Sequence, residues 1–159
     1  MQLSLSTEYA IHSLFYLAMQ DKAKLTLVSD VAKAQNISES YLAKVFQTLS
    51  KAGLIKSYRG AKGGYLLAKE PNKISLRKIV ETMEGNSPIY ICDDHKRKCN
   101  LLGDCLISHV MTEAEEKMFE VLDQTSLADL LTNLNYEKSD NSNGKVVPFW
   151  GNGSNGSKE

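Results

Sequence analysis

The stretch ISESYLAKVFQTLSKAG, residues 37–53, carries the pattern that decides the fold. Ser38 is a good N-cap and Gly53 fits the left-handed position after a helix end, so we predict a helix from Ser38 to about Ala52. Its apolar residues recur at steps of three and four, as one buried stripe requires: Leu42, Val45, Phe46 and Leu49. The other face carries small, amide and cationic side chains suited to base edges and phosphates: Ser40, Ala43, Lys44, Gln47 and Lys51.

Two patterns upstream complete a helix-turn-helix. A short helix is predicted over Val28–Gln35, and a break at residues 36–37 separates it from the next helix. A further amphipathic helix is predicted over residues 7–20, with Ser6 or Thr7 as its cap. Its inward positions recur at helical spacing: Ile11, Leu14, Phe15 and Ala18. Two short helices joined by a tight turn are typical of proteins that place the second helix in the major groove of DNA.

A short β-hairpin is predicted directly after this unit. Strand-like runs at residues 54–59 and 65–68 flank a glycine-rich turn. A basic hairpin in this position is a wing, and Arg59 and Lys62 near its tip can reach a minor groove or the phosphates. The glycines allow the backbone to approach DNA closely. A phosphate-cradling nucleotide loop is not expected, because the spacing that ends in Lys-Ser/Thr is missing.

The next part of the chain is predicted to contain two helices around a polar segment. Ser75 caps the first helix, which ends near Glu84, and the polar segment covers residues 91–103. The longest helix runs over about residues 106–124. Its apolar stripe is longer than a small head can cover, so we predict that it packs on a second copy of the chain. Packing within one chain is the alternative.

A last short helix and a polar tail end the sequence. Ser126 begins a variant of the capping box, and the helix that it opens is predicted to extend to about Leu134. Residues 135–159 are rich in Asn, Ser, Gly and Lys without periodicity, so we predict that they are disordered. The chain is thereby divided into a head over residues 1–74, a second part over 75–134 and this tail.

Charge is distributed unevenly between the two halves. The chain has 159 residues and no formal net charge. Residues 1–73 contain ten Lys and Arg against five Asp and Glu, whereas residues 74–159 contain nine against fourteen. A basic first half and an acidic second half indicate that contact with a polyanion belongs to the first half.

Several classes of protein are not expected from the sequence. Residues 1–20 lack a basic segment ahead of their apolar stretch, and Glu8 and His12 interrupt that stretch, so we expect no secretion signal. No apolar run approaches the length that spans a bilayer, so we expect a cytoplasmic protein without a membrane partner. We also expect no enzyme activity, because no nucleotide motif is present and no Cys–His pair lies in a pocket-forming context.

Three cysteines, Cys92, Cys99 and Cys105, lie within fourteen residues, and the chain has no others. An odd number argues against a secreted domain stapled by disulfides. Reduced thiolates, with one more ligand, can hold a [2Fe–2S] or [4Fe–4S] cluster or a zinc ion. The spacing C-x6-C-x5-C lacks the close pairs that are typical of structural zinc. A metal-free thiol switch that forms disulfides under oxidants is a further alternative.

Along residues 1–134 the chain resembles the bacterial Rrf-type winged-helix repressors. The matching stretches are Ile37-Ser38-Glu39-Ser40-Tyr41-Leu42, Leu49, Gly53-Leu54, Arg59-Gly60, Gly63-Gly64-Tyr65-Leu66-Leu67 and the opening Leu3-Ser4 with Glu8-Tyr9-Ala10. The family includes regulators of iron–sulfur assembly, nitric-oxide-sensitive repressors and regulators of cysteine metabolism. The resemblance implies a mainly α fold with a small β-hairpin wing, in which a winged helix-turn-helix head joins a long dimerisation helix. It also implies a homodimer.

The resemblance further implies an iron–sulfur cluster in the second part of the chain. Cluster-binding members use three cysteines in the loop before the long helix, which here are Cys92, Cys99 and Cys105. The cluster is either [2Fe–2S] or [4Fe–4S], because three loop cysteines serve both types in this family. Residues 75–134 are accordingly expected to contain a cluster-binding loop and the dimerisation helices.

The fourth ligand stays open among side chains of suitable chemistry. One branch of the family donates an acidic residue near the N-terminus from the other subunit, which is the role that Glu8 would have. Another branch places a histidine three residues after the last cysteine, whereas His109 follows Cys105 by four. His12 lies one turn after Glu8, and His95 lies inside the cysteine segment. Water or a small thiol completes the set of alternatives.

On the same resemblance, the predicted helix from Ser38 to about Ala52 is the recognition helix. The residues expected to contact DNA lie on this helix and on the wing: Ser38, Ser40, Tyr41, Lys44, Gln47, Arg59, Lys62 and Gly63. Related readers carry an acidic residue and a glutamine where this chain has Ala43 and Lys44, so their operator sequence does not transfer. The predicted function is a repressor that binds double-stranded operator DNA and senses redox state, nitric oxide or iron–sulfur and iron status. The alternative is a metal-free thiol-switch or zinc-bound repressor of the same family, acting through a protein from iron–sulfur assembly or cysteine metabolism.

Overall fold

The computed structural model describes residues 3–60, 62–88, 90 and 105–132. These residues form helices and one two-stranded antiparallel sheet, so the predicted fold class is confirmed. The elements are, in chain order, α1 (Leu5–Ala18), α2 (Val28–Gln35), α3 (Glu39–Lys51), β1 (Ile55–Tyr58), β2 (Gly64–Leu67), a 3₁₀ turn (Pro71–Lys73), α4 (Leu76–Glu84), α5 (Leu106–Gln124) and a last helix over residues 127–132. Within the described ranges, no helix combines the length and the apolar character needed to cross a bilayer. The predicted tail, residues 135–159, and the polar segment 91–103 lie outside the described residues.

One hydrophobic core joins the first four helices, the sheet and the last helix. Phe46 of α3 and Leu14 of α1 are fully buried in it, and so are Ile79 of α4 and Leu127. Burying a side chain of this size stabilises the fold by about 1.5–3 kcal/mol. The predicted stripe of α3 is confirmed, because its four members are the buried residues of that helix: Leu42, Val45, Phe46 and Leu49. Residues on both sides of position 74 share this core. The predicted division of the chain into a head, residues 1–74, and a second part, residues 75–134, therefore stays a prediction about function.

Helix α1 begins and ends two residues earlier than the predicted 7–20. Ser4 caps the helix, instead of Ser6 or Thr7, and its hydroxyl accepts a hydrogen bond from the backbone N–H of Thr7 at 3.3 Å. Thr7 is fully buried, and its hydroxyl donates to the Glu84 carboxylate at the end of α4. The buried members of α1 share only Leu14 with the predicted stripe: Thr7, Ala10, Ser13, Leu14 and Leu17. The other predicted members are partly buried at the edge of the core: Ile11, Phe15 and Ala18.

The turn between α2 and α3 depends on Asn36. This residue ends α2 in the left-handed conformation, at φ 53° and ψ 44°, which asparagine tolerates better than most residues. The N–H of Ile37 donates to the Ala32 carbonyl at 3.1 Å and closes the helix end. Ser38 then caps α3 by accepting a hydrogen bond from the N–H of Tyr41 at 3.3 Å. The predicted break and the predicted cap are both confirmed.

The wing hairpin is attached to the segment that precedes α2. β1 and β2 pair in antiparallel register, with Tyr58 opposite Gly64. The N–H of Thr26 donates to the Tyr65 carbonyl at 3.1 Å, and the N–H of Tyr65 donates to the Thr26 carbonyl at 2.8 Å. A Cβ on Gly64 would lie 2.9 Å from the Thr26 carbonyl oxygen, so only glycine allows this close approach. This isolated bridge places Thr26 beside β2, opposite Tyr65. The sequence pattern does not predict it.

The end of α5 is held against the start of α4. Ser75 caps α4 as predicted, by accepting a hydrogen bond from the N–H of Lys78 at 3.3 Å. The Ser75 hydroxyl also donates to the Asp123 carboxylate at 3.2 Å. Just beyond α5, the N–H of Leu127 donates to the Ile74 carbonyl at 3.0 Å. The C-terminal end of the long helix is therefore fixed to the head.

The reciprocal cap predicted at Ser126 is confirmed. The Ser126 hydroxyl accepts a hydrogen bond from the N–H of Asp129 at 3.3 Å, and the Asp129 carboxylate accepts one from the N–H of Ser126 at 2.8 Å. Hydrogen bonds from the hydroxyl and then from the backbone N–H of Ser126 lower the pKa of Asp129. The predicted end of this helix, residues 133–134, lies outside the described residues.

Candidate nucleic-acid interface and metal site

The outward face of α3 is open along its length. All five residues predicted to read bases are exposed: Ser38, Ser40, Tyr41, Lys44 and Gln47. Lys44 and Gln47 are three residues apart and therefore lie on adjacent turns of one face. A lysine can donate to guanine and a glutamine can pair with adenine in the major groove, so this face offers the chemistry of direct base readout.

Tyr41 is held by α1 as well as exposed on α3. Its hydroxyl lies 2.7 Å from the hydroxyl of Ser6, and its ring packs edge-to-face on Tyr9, with the ring centroids 5.7 Å apart. An edge-to-face pair of this kind contributes about 0.5–1.5 kcal/mol beyond the area that it buries. The sequence pattern predicts Tyr41 as a DNA contact only and does not indicate this second set of contacts. The serine and tyrosine at the start of α1 were visible in the sequence, but their proximity to α3 is a tertiary feature.

The wing turn closes around Gly63. The N–H of Gly63 donates to the Gly60 carbonyl at 2.9 Å. A Cβ at position 63 would lie 2.3 Å from the Tyr58 carbonyl oxygen and 2.9 Å from that of Gly60, so any side chain would force the turn open. Arg59, just before this turn, and Lys62, within it, are exposed. The tight turn therefore presents two cations next to backbone that can come close to a phosphate.

Contacts with the core set the orientation of the wing relative to α3. Tyr65 of β2 packs edge-to-face on the buried Phe46 of α3, with the ring centroids 4.7 Å apart. The same tyrosine forms the backbone bridge to Thr26, which the sequence analysis missed. The run Leu25 to Val28, with a β-branched residue among apolar ones, was the available signal for this short extended segment. Recognition helix and wing are thus held in one fixed arrangement.

Of the three predicted cysteine ligands, the structure describes Cys105. It occupies the N-cap position of α5, its side chain makes no capping hydrogen bond, and its thiol is free and partly exposed. A thiol with these properties suits a metal or cluster site, because thiolates are the usual protein ligands of iron–sulfur clusters. Cys92 and Cys99 lie outside the described residues, as does the candidate His95.

The candidates for the fourth ligand that the structure describes lie on two different helices. Glu8 is exposed in the first turn of α1, and His12 follows it one turn later, partly buried. Burial lowers the pKa of His12, and the charge of Glu8 opposes that shift. His109 is exposed on α5, where its backbone N–H donates to the backbone carbonyl of Cys105 at 3.1 Å. Among the residues that the structure describes, no three His, Cys, Asp or Glu side chains come together in one chain as a metal site.

The N-terminal part of α5 exposes a row of large apolar side chains. Leu106, Ile107 and Val110 are 69%, 64% and 63% exposed, and Val121 further along is 63% exposed. At 100° per residue these positions fall on one side of the helix. An apolar row of this length facing water is typical of a surface that packs on another protein.

A different side of α5 contacts α4 through Arg77. The guanidinium lies 4.9 Å from the centroid of the Phe119 ring, and its Nε donates to the Glu81 carboxylate at 2.7 Å. The hydrogen bond to Glu81 raises the pKa of Arg77. This contact holds the middle of α5 on α4 while the apolar row points elsewhere.

Comparison with known proteins places these features in context. A sequence profile of the Rrf2 family, described as an iron-dependent transcriptional regulator, matches residues 3–133. The HTH-type transcriptional regulator NsrR of Halalkalibacterium halodurans is 41% identical over 134 residues, which are 84% of this chain and 92% of that protein. The similarity therefore extends through the head, the cysteine segment and the long helix.

Two solved structures share the fold. CymR, the global cysteine regulator of B. subtilis, is 31% identical with a TM-score of 0.66, over 84% of this chain and 98% of that chain. IscR of T. potens is 28% identical with a TM-score of 0.70, over 91% of this chain and 94% of that chain. Both likenesses extend over more than four fifths of this chain.

Proposed function

The chain belongs to the Rrf2 family of DNA-binding transcriptional regulators, and from this premise we propose that it is a repressor governed by an iron–sulfur cluster. Cys92, Cys99 and Cys105 hold the cluster, through which the protein senses redox state, nitric oxide or iron–sulfur status. The observation that carries the proposal is the presence of three cysteines within fourteen residues, directly before α5, in a family described as iron-dependent.

DNA binding is assigned to α3 and the wing. The exposed face of α3 enters the major groove, where Lys44 and Gln47 read base edges and Ser38, Ser40 and Tyr41 lie at the helix start. The wing places its cations on the backbone of the same duplex. The fixed contact between β2 and α3 supports this assignment, because it makes the two surfaces act as one.

We assign the apolar row of α5 to contact with a second copy of the chain. A homodimer buries Leu106, Ile107 and Val110, which are about two-thirds exposed in one chain. Val110→Glu is expected to convert the dimer to a monomer in analytical ultracentrifugation, since it buries an unpaired charge. Thr112→Glu adds the same charge on the opposite side of α5 and is expected to leave the dimer intact. A monomeric unaltered protein would contradict the assignment.

The residues present fit the donor set of a cluster. Cys105 contributes a thiol from the start of α5, and Glu8, from the partner copy of α1, is our first choice for the fourth ligand, followed by His109, His12 and His95. Bound in this way, an iron–sulfur cluster supplies a centre that reacts with nitric oxide or oxygen and is lost under iron shortage. Cys105 connects that centre to α5, whose far end is hydrogen-bonded to Ser75 at the start of α4.

The switch follows from this connection. Two heads joined through α5 fit two half-sites about one DNA turn apart, and the position of α5 sets their spacing. Whatever changes the position of Cys105 changes that spacing. Cluster and DNA must then alter each other's binding by the same factor, typically about 5–150-fold.

A metal-free thiol switch is the second candidate function. The structural likeness to CymR, a global cysteine regulator, favours it. The partly exposed free thiol of Cys105 is compatible with disulfide formation under oxidants. In this case the regulator acts with a protein from cysteine metabolism or iron–sulfur assembly.

Iron and acid-labile sulfide analysis of protein purified without oxygen separates the two candidates. The cluster proposal expects about two or four irons per chain, with visible absorption that each Cys→Ser variant at positions 92, 99 and 105 abolishes. Glu8→Gln is expected to weaken cluster retention, and Glu116→Gln, an exposed glutamate on α5, serves as the matched control. Protein that stays free of iron after reconstitution would contradict the proposal and favour the thiol switch.

A further inference from the structure

Glu84, the last residue of α4, is bonded to the first turn of α1. Its carboxylate accepts hydrogen bonds from the backbone N–H of Ser4, at 2.8 Å, and from the hydroxyl of Thr7. The hydroxyls of Ser4 and Thr7 lie 3.1 Å apart, so the three groups form one cluster. Because Thr7 is fully buried, its hydroxyl has no access to water as a substitute partner. The end of α4 and the start of α1 are therefore held together by a specific polar contact.

The same turn of α1 is bonded to the recognition helix. Ser6, between the two residues that Glu84 holds, lies 2.7 Å from the Tyr41 hydroxyl. Tyr9, one turn later, packs on the ring of Tyr41. Tyr41 stands in the first turn of α3, directly after the predicted base-reading residue Ser40. The side of α1 that faces α3 and the side that faces α4 thus share a single helical turn.

We propose that Glu84 is a positioning residue for DNA recognition, acting through the first turn of α1 and the hydroxyl of Tyr41. The proposal rests on the assignment of DNA binding to α3. Along the chain, Glu84 is also the last helical residue before the segment with Cys92 and Cys99, so a displacement of α4's end reaches the recognition helix by this path. Tyr41 then sets the orientation of α3 through its contacts with Ser6 and Tyr9 of α1.

The test compares operator affinities of the full-length protein and its variants. The probe is a duplex that the unaltered protein selects from a random-sequence library, and an unrelated duplex measures non-specific binding. Glu84→Ala is expected to weaken binding to the selected duplex by about five- to tenfold, the low end of typical coupling between sites, with non-specific binding unchanged. Glu84→Gln is expected to restore most of the loss, because its amide oxygen still accepts from Ser4 and Thr7. Glu116→Ala, which removes the same charge from an exposed position on α5, is the matched control and is expected to bind like the unaltered protein.

A double-mutant cycle distinguishes a relay from two independent effects. Tyr41→Phe removes the hydroxyl that meets Ser6, and in that background Glu84→Ala is expected to cause less than a further twofold loss. Ser6→Ala, a small change on the surface of α1, is expected to reproduce the effect of Tyr41→Phe. The proposal is overturned if Glu84→Ala keeps its full effect in the Tyr41→Phe background. It is also overturned if Ser6→Ala binds like the unaltered protein.

Three further outcomes are also informative. Should Glu84→Ala fail to fold in a thermal melt, Thr7→Val, which removes the hydroxyl that donates to Glu84, takes its place in the same cycle and decides the proposal. No step requires the cluster, so an iron-free protein with the expected affinity ratios supports the relay while the cluster proposal fails. An unaltered protein that selects no duplex at all overturns the assignment of DNA binding to α3 and the relay with it.

Discussion

Gly63→Ala tests whether the wing turn has the role in DNA binding that we assign to it. The new Cβ would lie 2.3 Å from the Tyr58 carbonyl oxygen, whereas ordinary contacts begin near 3.4 Å, so the two atoms must separate by 1.1 Å. Both are backbone or backbone-attached, so no flexible side chain can absorb this shift. The turn must open, and the bond from the Gly63 N–H to the Gly60 carbonyl, 2.9 Å long, weakens or breaks.

The energetic cost follows from these contacts. Forcing one methyl group into a filled site costs about 1–3 kcal/mol. A lost hydrogen bond at the solvent-exposed turn accounts for about 1 kcal/mol of it. The substitution also affects DNA binding, because Arg59 lies just before the displaced turn and Lys62 lies within it. If both lose a phosphate contact, the slope of log Kobs against log salt concentration becomes shallower by about 1.8.

Urea denaturation and salt-dependent fluorescence anisotropy measure the two effects. Gly53→Ala is the matched control. No atom lies within 4 Å of a Cβ built at position 53, but the φ of +68° is unfavourable for alanine. The substitution is therefore expected to cost about 1 kcal/mol of stability without a clash in the wing. Gly63→Ala is expected to lower the stability and to make the salt dependence of DNA binding shallower. Gly53→Ala is expected to lower the stability only. A Gly63→Ala protein with unaltered denaturation midpoint and unaltered salt slope would refute the reasoning.

Three further predictions concern separate parts of the molecule. Lys44→Ala is expected to weaken binding to the selected duplex about tenfold and to relax specificity at one base pair, as a library selection with the variant would show; equal losses on all duplexes would instead mean a phosphate contact. Leu127→Ala is expected to lower the free energy of unfolding by about 2–5 kcal/mol in urea, because Leu127 is fully buried; a loss under about 1 kcal/mol would contradict its place in the core. Asp129 has a folded pKa below its ordinary value of 3.8 because of its bonds from Ser126, so its contribution is present above that pH and is lost as the pH falls through the lower, folded pKa. Asp129→Asn should flatten this acid limb of stability, and an unchanged pH profile would argue against the cap.

Local signals predicted the local structure well. Ser38, Ser75 and Ser126 were identified as caps from the residues around them, and each makes the expected bond to a backbone N–H. Capping depends on three or four consecutive residues, so sequence alone contains the needed information. The buried stripe of α3 was predicted for the same reason, since one face of a helix is set by spacing.

Contacts between distant residues were not predictable in this way. The sequence places the start of α1 at Thr7, because nothing near Thr7 shows that its hydroxyl donates a hydrogen bond to Glu84. The bridge between Thr26 and Tyr65 and the bond from Ser6 to Tyr41 also join residues far apart in the chain. These long-range contacts hold the recognition helix and wing in place, so the orientation of the candidate site came from the structure alone.

The residues of the interface were predictable by type and exposure, whereas their roles remain predictions. Lys44 and Gln47 lie on the open face of α3 as an amphipathic pattern requires. The cysteine ligands rest on composition and resemblance, with Cys105 alone among them described by the structure.

The central claim is that a cluster bound by the three cysteines controls the affinity for DNA. The most direct measurement is the dissociation constant of one selected duplex for the same preparation, first loaded with its cluster and then stripped of it, at a fixed salt concentration. We expect the two constants to differ by about 5–150-fold. Equal constants for the loaded and stripped protein would contradict it.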